Sequence, residues 1–218
     1  MDNKILTIVG MGPGVSYSVA KKFANNGFSI AMIARNENRL NDYKAEFQKM
    51  NLKAEGFKAD ASDEGSLKEA FEKIHSSIGK TSVLLYNAFS MRQSYPSQLK
   101  YEDCIADFKI NVAGALAAFQ LVLPSMLERK QGTILFTGGR TALEPMPIYS
   151  SLGIGKAGIR NLCFSVYEEL KSKNIHTATV TIMGLVKQGT KWDADLIAEQ
   201  YWKLHLQKPG EFEKEIQV

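Results

Sequence analysis

The chain has 218 residues, 44% of them hydrophobic, enough to bury one substantial core and expected to form a single domain over residues 1–218. Its 27 basic and 23 acidic residues leave a net charge of +4 spread along the sequence, without the block of like charge that a nucleic-acid or membrane partner would call for. Only two cysteines occur, no apolar run approaches the roughly 20 residues of a spanning helix, and the start MDNKILTIVG has no signal-peptide core; a cytoplasmic protein without disulfides or a metal cluster is expected.

In chain order, short apolar runs at Ile5–Val9, 28–34, Val83–Tyr86, 133–136 and 176–182 read as buried strands, with a weaker one at 53–58. Helical periodicity fills the segments between them, at 15–26, 37–50, 66–77, Tyr101–Arg129 and 151–173. A last helix near 195–206 and a short strand near 212–218 end the chain. Strand and helix alternate throughout, which predicts an α/β domain with a doubly wound, mostly parallel sheet and helices on both faces, of Rossmann type.

The first strand runs into Gly10-Met11-Gly12-Pro13-Gly14-Val15-Ser16, and a helical pattern begins at once with Tyr17, Val19, Ala20 and Phe23. Glycines between a buried strand and a helix let the backbone turn tightly and approach a pyrophosphate, whose charge sits against the helix N-terminus. A purely structural turn is the competing reading. A methyltransferase also carries glycines here, but it places a carboxylate after its second strand to hold ribose hydroxyls. This chain instead has Arg35, then Asn36 and Arg39. A guanidinium at that point suits a 2′-phosphate and favours NADP(H) over NAD(H), unless Arg35 is only a solvated helix-start residue.

These residues resemble the short-chain dehydrogenase/reductase family over nearly the whole chain. The matching segments follow in the family's order: the turn Gly10–Ser16, Arg35, Asp60-Ala61, Asn87-Ala88, Asn111, Lys156-Ala157, and Gly184 with Thr190. The resemblance implies that Asp60 contacts the adenine ring, that the Asn87 region lines the cofactor cleft and that Thr190 touches the nicotinamide amide. It also implies a small carbonyl or alcohol substrate, and a homodimer or homotetramer through the two long helices.

The sequence departs from the family at the catalytic positions. The tyrosine expected four residues before the lysine is Leu152, and the serine expected about a dozen residues earlier falls on Gly138-Gly139. Phe89 replaces the glycine usual after Asn-Ala, and Met183 the proline usual before Gly184.

Among the polar residues that remain, Lys156 falls inside the apolar stripe of its helix, where a buried ammonium needs acceptors such as ribose hydroxyls; the alternative is a side chain that snorkels to solvent. Asn111 lies in a helix interior, so it either serves a kink or a water near Lys156, or makes a plain structural hydrogen bond. Tyr149, seven residues before Lys156, is a candidate general acid if the helix begins early, with the weaker acids Ser150 and Ser151 as rivals; the competing reading, an ordinary helix-start residue, is preferred. His75, His176 and His205 lack metal-site spacing. The segment after Thr190 is too short for a mobile lid, so an open site bordered by Phe89, Met91, Met146 and Trp192 is expected, with Trp202 in the core. Three readings follow: an NADP(H)-dependent oxidoreductase using Lys156, Asn111 and Tyr149; an NADP(H)-binding sensor or scaffold that has lost catalysis; and a fold that binds no nucleotide.

Overall fold

In the computed structural model, which describes residues 4–218, all five residues of β1 (Ile5–Val9) are buried. Leu6 and Ile8 join the core on one face of the sheet and Ile5 and Val9 the core on the other, the period-two alternation of an extended chain. The chain continues through α1 (Val15–Asn25), β2 (Ser29–Ala34), α2 (Glu37–Lys49), β3 (Ala54–Lys58), α3 (Glu64–Ser77), β4 (Val83–Tyr86), α4 (Tyr101–Phe108) and α5 (Gly114–Arg129). It ends with β5 (Gly132–Gly139), α6 (Ser150–Leu170), β6 (Ile175–Ile182), α7 (Ala194–Leu206) and β7 (Glu215–Gln217).

All seven strands pair in parallel in the order β3-β2-β1-β4-β5-β6-β7, so the expected doubly wound sheet is observed. Winding reverses between β1 and β4, and the crevice beyond the carboxyl ends of those two strands is where such sheets take ligands. Val19, Phe23, Leu40, Phe47, Tyr201 and Leu204 carry α1, α2 and α7 onto one face. Leu67, Ile74, Ala118, Val122, Ile159 and Cys163 carry α3, α5 and α6 onto the other. Each fully buried side chain such as Phe23 or Phe47 contributes about 2–3 kcal/mol of transfer free energy.

Local chemistry moves several boundaries. The third helix starts at Glu64 rather than 66 because Asp63 caps it, its side chain accepting from the Ser66 amide. The fifth strand runs on through Gly138 and Gly139, since β6 pairs with both; at Gly138 there is no room for a side chain, as a Cβ would lie 2.5 Å from Thr181 Oγ1. The final strand shrinks to three residues. Cys104 and Cys163 are both free.

The segment Tyr101–Arg129 is one continuous helix with a π-helical turn at Lys109–Ala113. It corrects the expectation about spanning runs, since this helix is by length and composition alone long and apolar enough to span a membrane, a test that core helices also pass. In the fold its Ala115, Ala118, Phe119, Val122 and Met126 face is buried in the core. The wider turn follows from side chains inserted beside the helix: Tyr86 Oη donates to the Ile110 carbonyl, and Asn111 turns toward Ser90.

Candidate active site

Beyond β1, Gly10 takes φ +90° and packs against the strand-β4 end so closely that it has no space for a Cβ. Its amide and that of Met11 both donate to the Ile33 carbonyl. Ser16 closes the turn from inside: Gly12 N donates to Ser16 Oγ, which donates back to the Gly12 carbonyl. Gly14 caps α1 at φ +85°, while Val15 and Ser16 lie buried below the turn. No side chain caps α1 among the described residues and no acid stands in its first turn, whereas Asn36, Asp63 and Asp193 cap α2, α3 and α7. The first-turn amides of α1 therefore lack intrahelical acceptors, and the surface above Gly12 and Gly14 is open for an anion to approach.

A cavity of about 410 Å³ extends from this turn across the ends of β2, β3 and β4. It gathers Gly10, Gly12, Arg35, Asp60, Ala61, Asn87 and Ala88, all singled out from sequence, together with Arg39, Tyr43, Phe89 and Ile110. Gly14, Val15, Ser16, Asn111, Tyr149, Lys156, Gly184 and Thr190 do not line it. Asp60 Oδ1 accepts from the amide and hydroxyl of Ser62. The backbone bond from Ser62 is the main reason its carboxyl sits below the usual range, against partial burial and aided by the Ser62 hydroxyl and the Arg35 charge. Arg35 and Arg39 stand exposed on the rim.

Lys156, 9% exposed, reaches from α6 to donate to the Thr137 carbonyl at 2.7 Å, so it does not snorkel. Burial pushes its ammonium down to about 8. The ring of Phe89, which lines the cavity, lies 5.5 Å from Lys156 Nζ and bridges the two parts of the site. A Cβ on Gly139 would sit 3.6 Å from the Lys156 methylenes, an ordinary contact, so a small side chain fits there.

Asn111 uses both amide atoms on Ser90: its Oδ1 accepts from Ser90 N and its Nδ2 donates to Ser90 O. This places Asn111 as a clamp on the loop after β4. Tyr149 forms the N-cap of α6, and its hydroxyl accepts from Gln93 Nε2 at 3.3 Å rather than meeting Lys156. Gly184 lies under the Trp192 indole, and Thr190 is folded into its own turn, donating to the Lys187 carbonyl and accepting from Trp192 N. Trp202 packs edge-on against Phe23, in line with its expected core role. No group of three or more metal-ligating side chains forms among the described residues.

A family model described as short chain dehydrogenase matches residues 4–198. The chain belongs to the short-chain dehydrogenase family. An uncharacterized oxidoreductase of Staphylococcus epidermidis is 24% identical over 178 residues, covering 82% of this chain and 76% of that protein. A short chain dehydrogenase of Pseudocercospora fijiensis is 30% identical over 183 residues, 80% of this chain and 57% of the relative. A 3-oxoacyl-(acyl-carrier-protein) reductase of Thermotoga maritima is 23% identical over 180 residues, 83% and 73%. The solved short-chain dehydrogenase from Rhodopseudomonas palustris has a TM-score of 0.90 at 22% identity, covering 100% of this chain and 99% of that one. A metagenomic short-chain oxidoreductase in complex with NADP has a TM-score of 0.90 at 20% identity, 99% and 96%. Those two establish the shared fold. This short-chain dehydrogenase is thus an oxidoreductase of a family that uses nicotinamide dinucleotides.

Sequence reading missed Asp107. Buried at 2% exposure, it accepts from the hydroxyls of Ser90 and Ser151, with Arg92 Nε 3.5 Å away. Burial opposes its charge, but the two hydroxyls and Arg92 outweigh it and hold the carboxyl below the usual range. The available signal was its place one helical turn before Asn111.

Proposed function

We propose that this short-chain dehydrogenase binds NADP(H) and transfers hydride between it and a small carbonyl or alcohol compound. The observation that carries the reading is that the Gly10–Pro13 turn, which leads into the uncapped N-terminus of α1, lines one cavity together with Arg35 and Arg39, with an arginine rather than a carboxylate directly following β2. The first-turn amides of α1 would hold the pyrophosphate, Asp60 the adenine, Arg35 the 2′-phosphate and Lys156 the ribose. When bound, the reduced nicotinamide supplies the hydride. Tyr149 is the phenol at the mouth of α6 and serves as the proton donor to a carbonyl oxygen, with Gly184 and Thr190 bordering the nicotinamide side. Asn111 holds the loop that carries Phe89 in place. The exposed apolar residues Tyr101, Ile105 and Phe108 on α4 and Leu116 on α5 support a homo-oligomer formed through these helices.

Fluorescence titration with NADPH and NADH tests the reading. The unaltered protein should prefer NADPH, and Arg35→Asp should reduce that preference by about tenfold or more. An unchanged preference removes Arg35 from the site. Consumption of NADPH over a panel of aldehydes and ketones should fall in Tyr149→Phe, and equal turnover in that variant removes Tyr149 from the chemistry.

A further inference from the structure

Thr137 stands at the centre of the sheet and bonds toward both of its faces. Tyr201, fully buried on α7, donates to Thr137 Oγ1 at 2.8 Å. That hydroxyl donates in turn to Asn87 Oδ1 at 2.8 Å, and Asn87 Nδ2 donates to the Gly10 carbonyl at 3.1 Å. From the opposite face Lys156 donates to the backbone carbonyl of the same Thr137.

The directions are fixed by chemistry. The Gly10 carbonyl only accepts, so the Asn87 amide must present its NH₂ there and its oxygen to Thr137. That oxygen also only accepts, so Thr137 must give its single proton to it, leaving Tyr201 as donor. Only one arrangement of protons satisfies the chain.

We propose that Thr137 and Tyr201 are positioning residues for the phosphate turn, acting through the Asn87 amide on the Gly10 carbonyl. That carbonyl, together with the Met11 amide bonded to Ile33, sets the plane of the peptide between Gly10 and Met11, and this plane aims the backbone that follows toward the pyrophosphate. Gly10 is further confined, since its amide donates to the Ile33 carbonyl and the space where a Cβ would stand is filled by the Ala88 backbone. Burial raises the Tyr201 phenol above its usual range, so it stays protonated and remains a donor at working pH. The relay also joins the two ends of the proposed cofactor site, with the turn on the Thr137 hydroxyl and Lys156 on its carbonyl. The inference rests on the NADP(H) reading above.

The test is NADPH titration and thermal melting of the full chain carrying Thr137→Val, Thr137→Ser or Tyr201→Phe. Valine keeps the shape but leaves Asn87 Oδ1 and the Tyr201 hydroxyl without partners, and NADPH affinity should fall about tenfold. Serine keeps the hydroxyl and should bind within about twofold of the unaltered protein, a rescue that a packing role for the methyl would not give. Because valine retains the carbonyl that Lys156 uses, the pH midpoint of NADPH binding should stay in place while the affinity changes. Should Thr137→Val fail to fold, Tyr201→Phe carries the test with an expected loss of about threefold.

Unaltered affinity in folded Thr137→Val, or in Tyr201→Phe where the valine variant does not fold, overturns the relay alone. Equal losses in the serine and valine variants also overturn it. Absence of nucleotide binding by the unaltered protein overturns the cofactor reading and the relay together.

Discussion

Gly10 and Ala88 approach so closely that a Cβ on Gly10 would lie 2.3 Å from the Ala88 amide nitrogen. The same turn contains Gly12, whose Cβ direction has nothing within 4 Å. Two glycines of one motif thus differ in their surroundings, one allowing chain to pass chain and the other facing open space. Gly10→Ala should destabilise the fold by about 3 kcal/mol or more through overpacking and backbone strain, visible as a lower melting temperature. Gly12→Ala should melt close to the unaltered protein and still lose NADPH affinity, because its methyl group enters the anion's space.

Lys156 gives a pH signature. Burial lowers its pKa from 10.5 to about 8, so between those values the unfolded chain keeps a proton that the folded chain has released. Stability from this group therefore rises with pH across that window, and its penalty is fully present below about 8. Urea unfolding of the protein and of Lys156→Met should show their stability difference changing by about 3 kcal/mol between pH 7 and 10.5. A constant difference would place the ammonium in contact with water.

Asp107 carries the opposite sign. Its depressed carboxyl contributes stability above the ordinary carboxylate range, and that contribution is lost as pH falls through the lowered value. Asp107→Leu leaves the hydroxyls of Ser90 and Ser151 without their acceptor and should cost about 3 kcal/mol at neutral pH. The difference from the unaltered protein should narrow in acid, as followed by chemical denaturation at a series of pH values.

The space beside Lys156 allows a gain of function. Gly139→Ser fits without a clash, and Leu152→Tyr puts a phenol one helical turn before the lysine. The double variant should raise carbonyl reduction about a hundredfold, measured by NADPH consumption. No gain would mean that another group already supplies the proton.

Most strands were legible because a parallel sheet buries both faces and writes itself as continuous apolar runs such as Ile5–Val9 and Val83–Tyr86. Gly138 and Gly139 hid the end of β5, since glycine reads as a breaker and only pairing with the neighbouring strand shows that the ladder continues, with no space for a side chain at Gly138. Lys156 was identifiable as a cation in an apolar stripe, but its acceptor, a backbone carbonyl on β5, has no side-chain signature. Tyr43 joined the cavity unannounced, as an aromatic one helical turn beyond Arg39 on α2.

Local order alone determined the sheet class, the glycine-rich turn after β1 and the positive charge after β2, because each depends on neighbours within a few residues. Tertiary structure decided which of those residues share a cavity, that Asn111 holds Ser90, that Tyr149 faces Gln93, and that Tyr201 reaches Gly10 through Thr137 and Asn87. Those relationships join residues up to 191 positions apart in the sequence, from Gly10 to Tyr201. Hydrogen bonds of that reach are set by how helices dock on the sheet, and no periodicity along the chain encodes them.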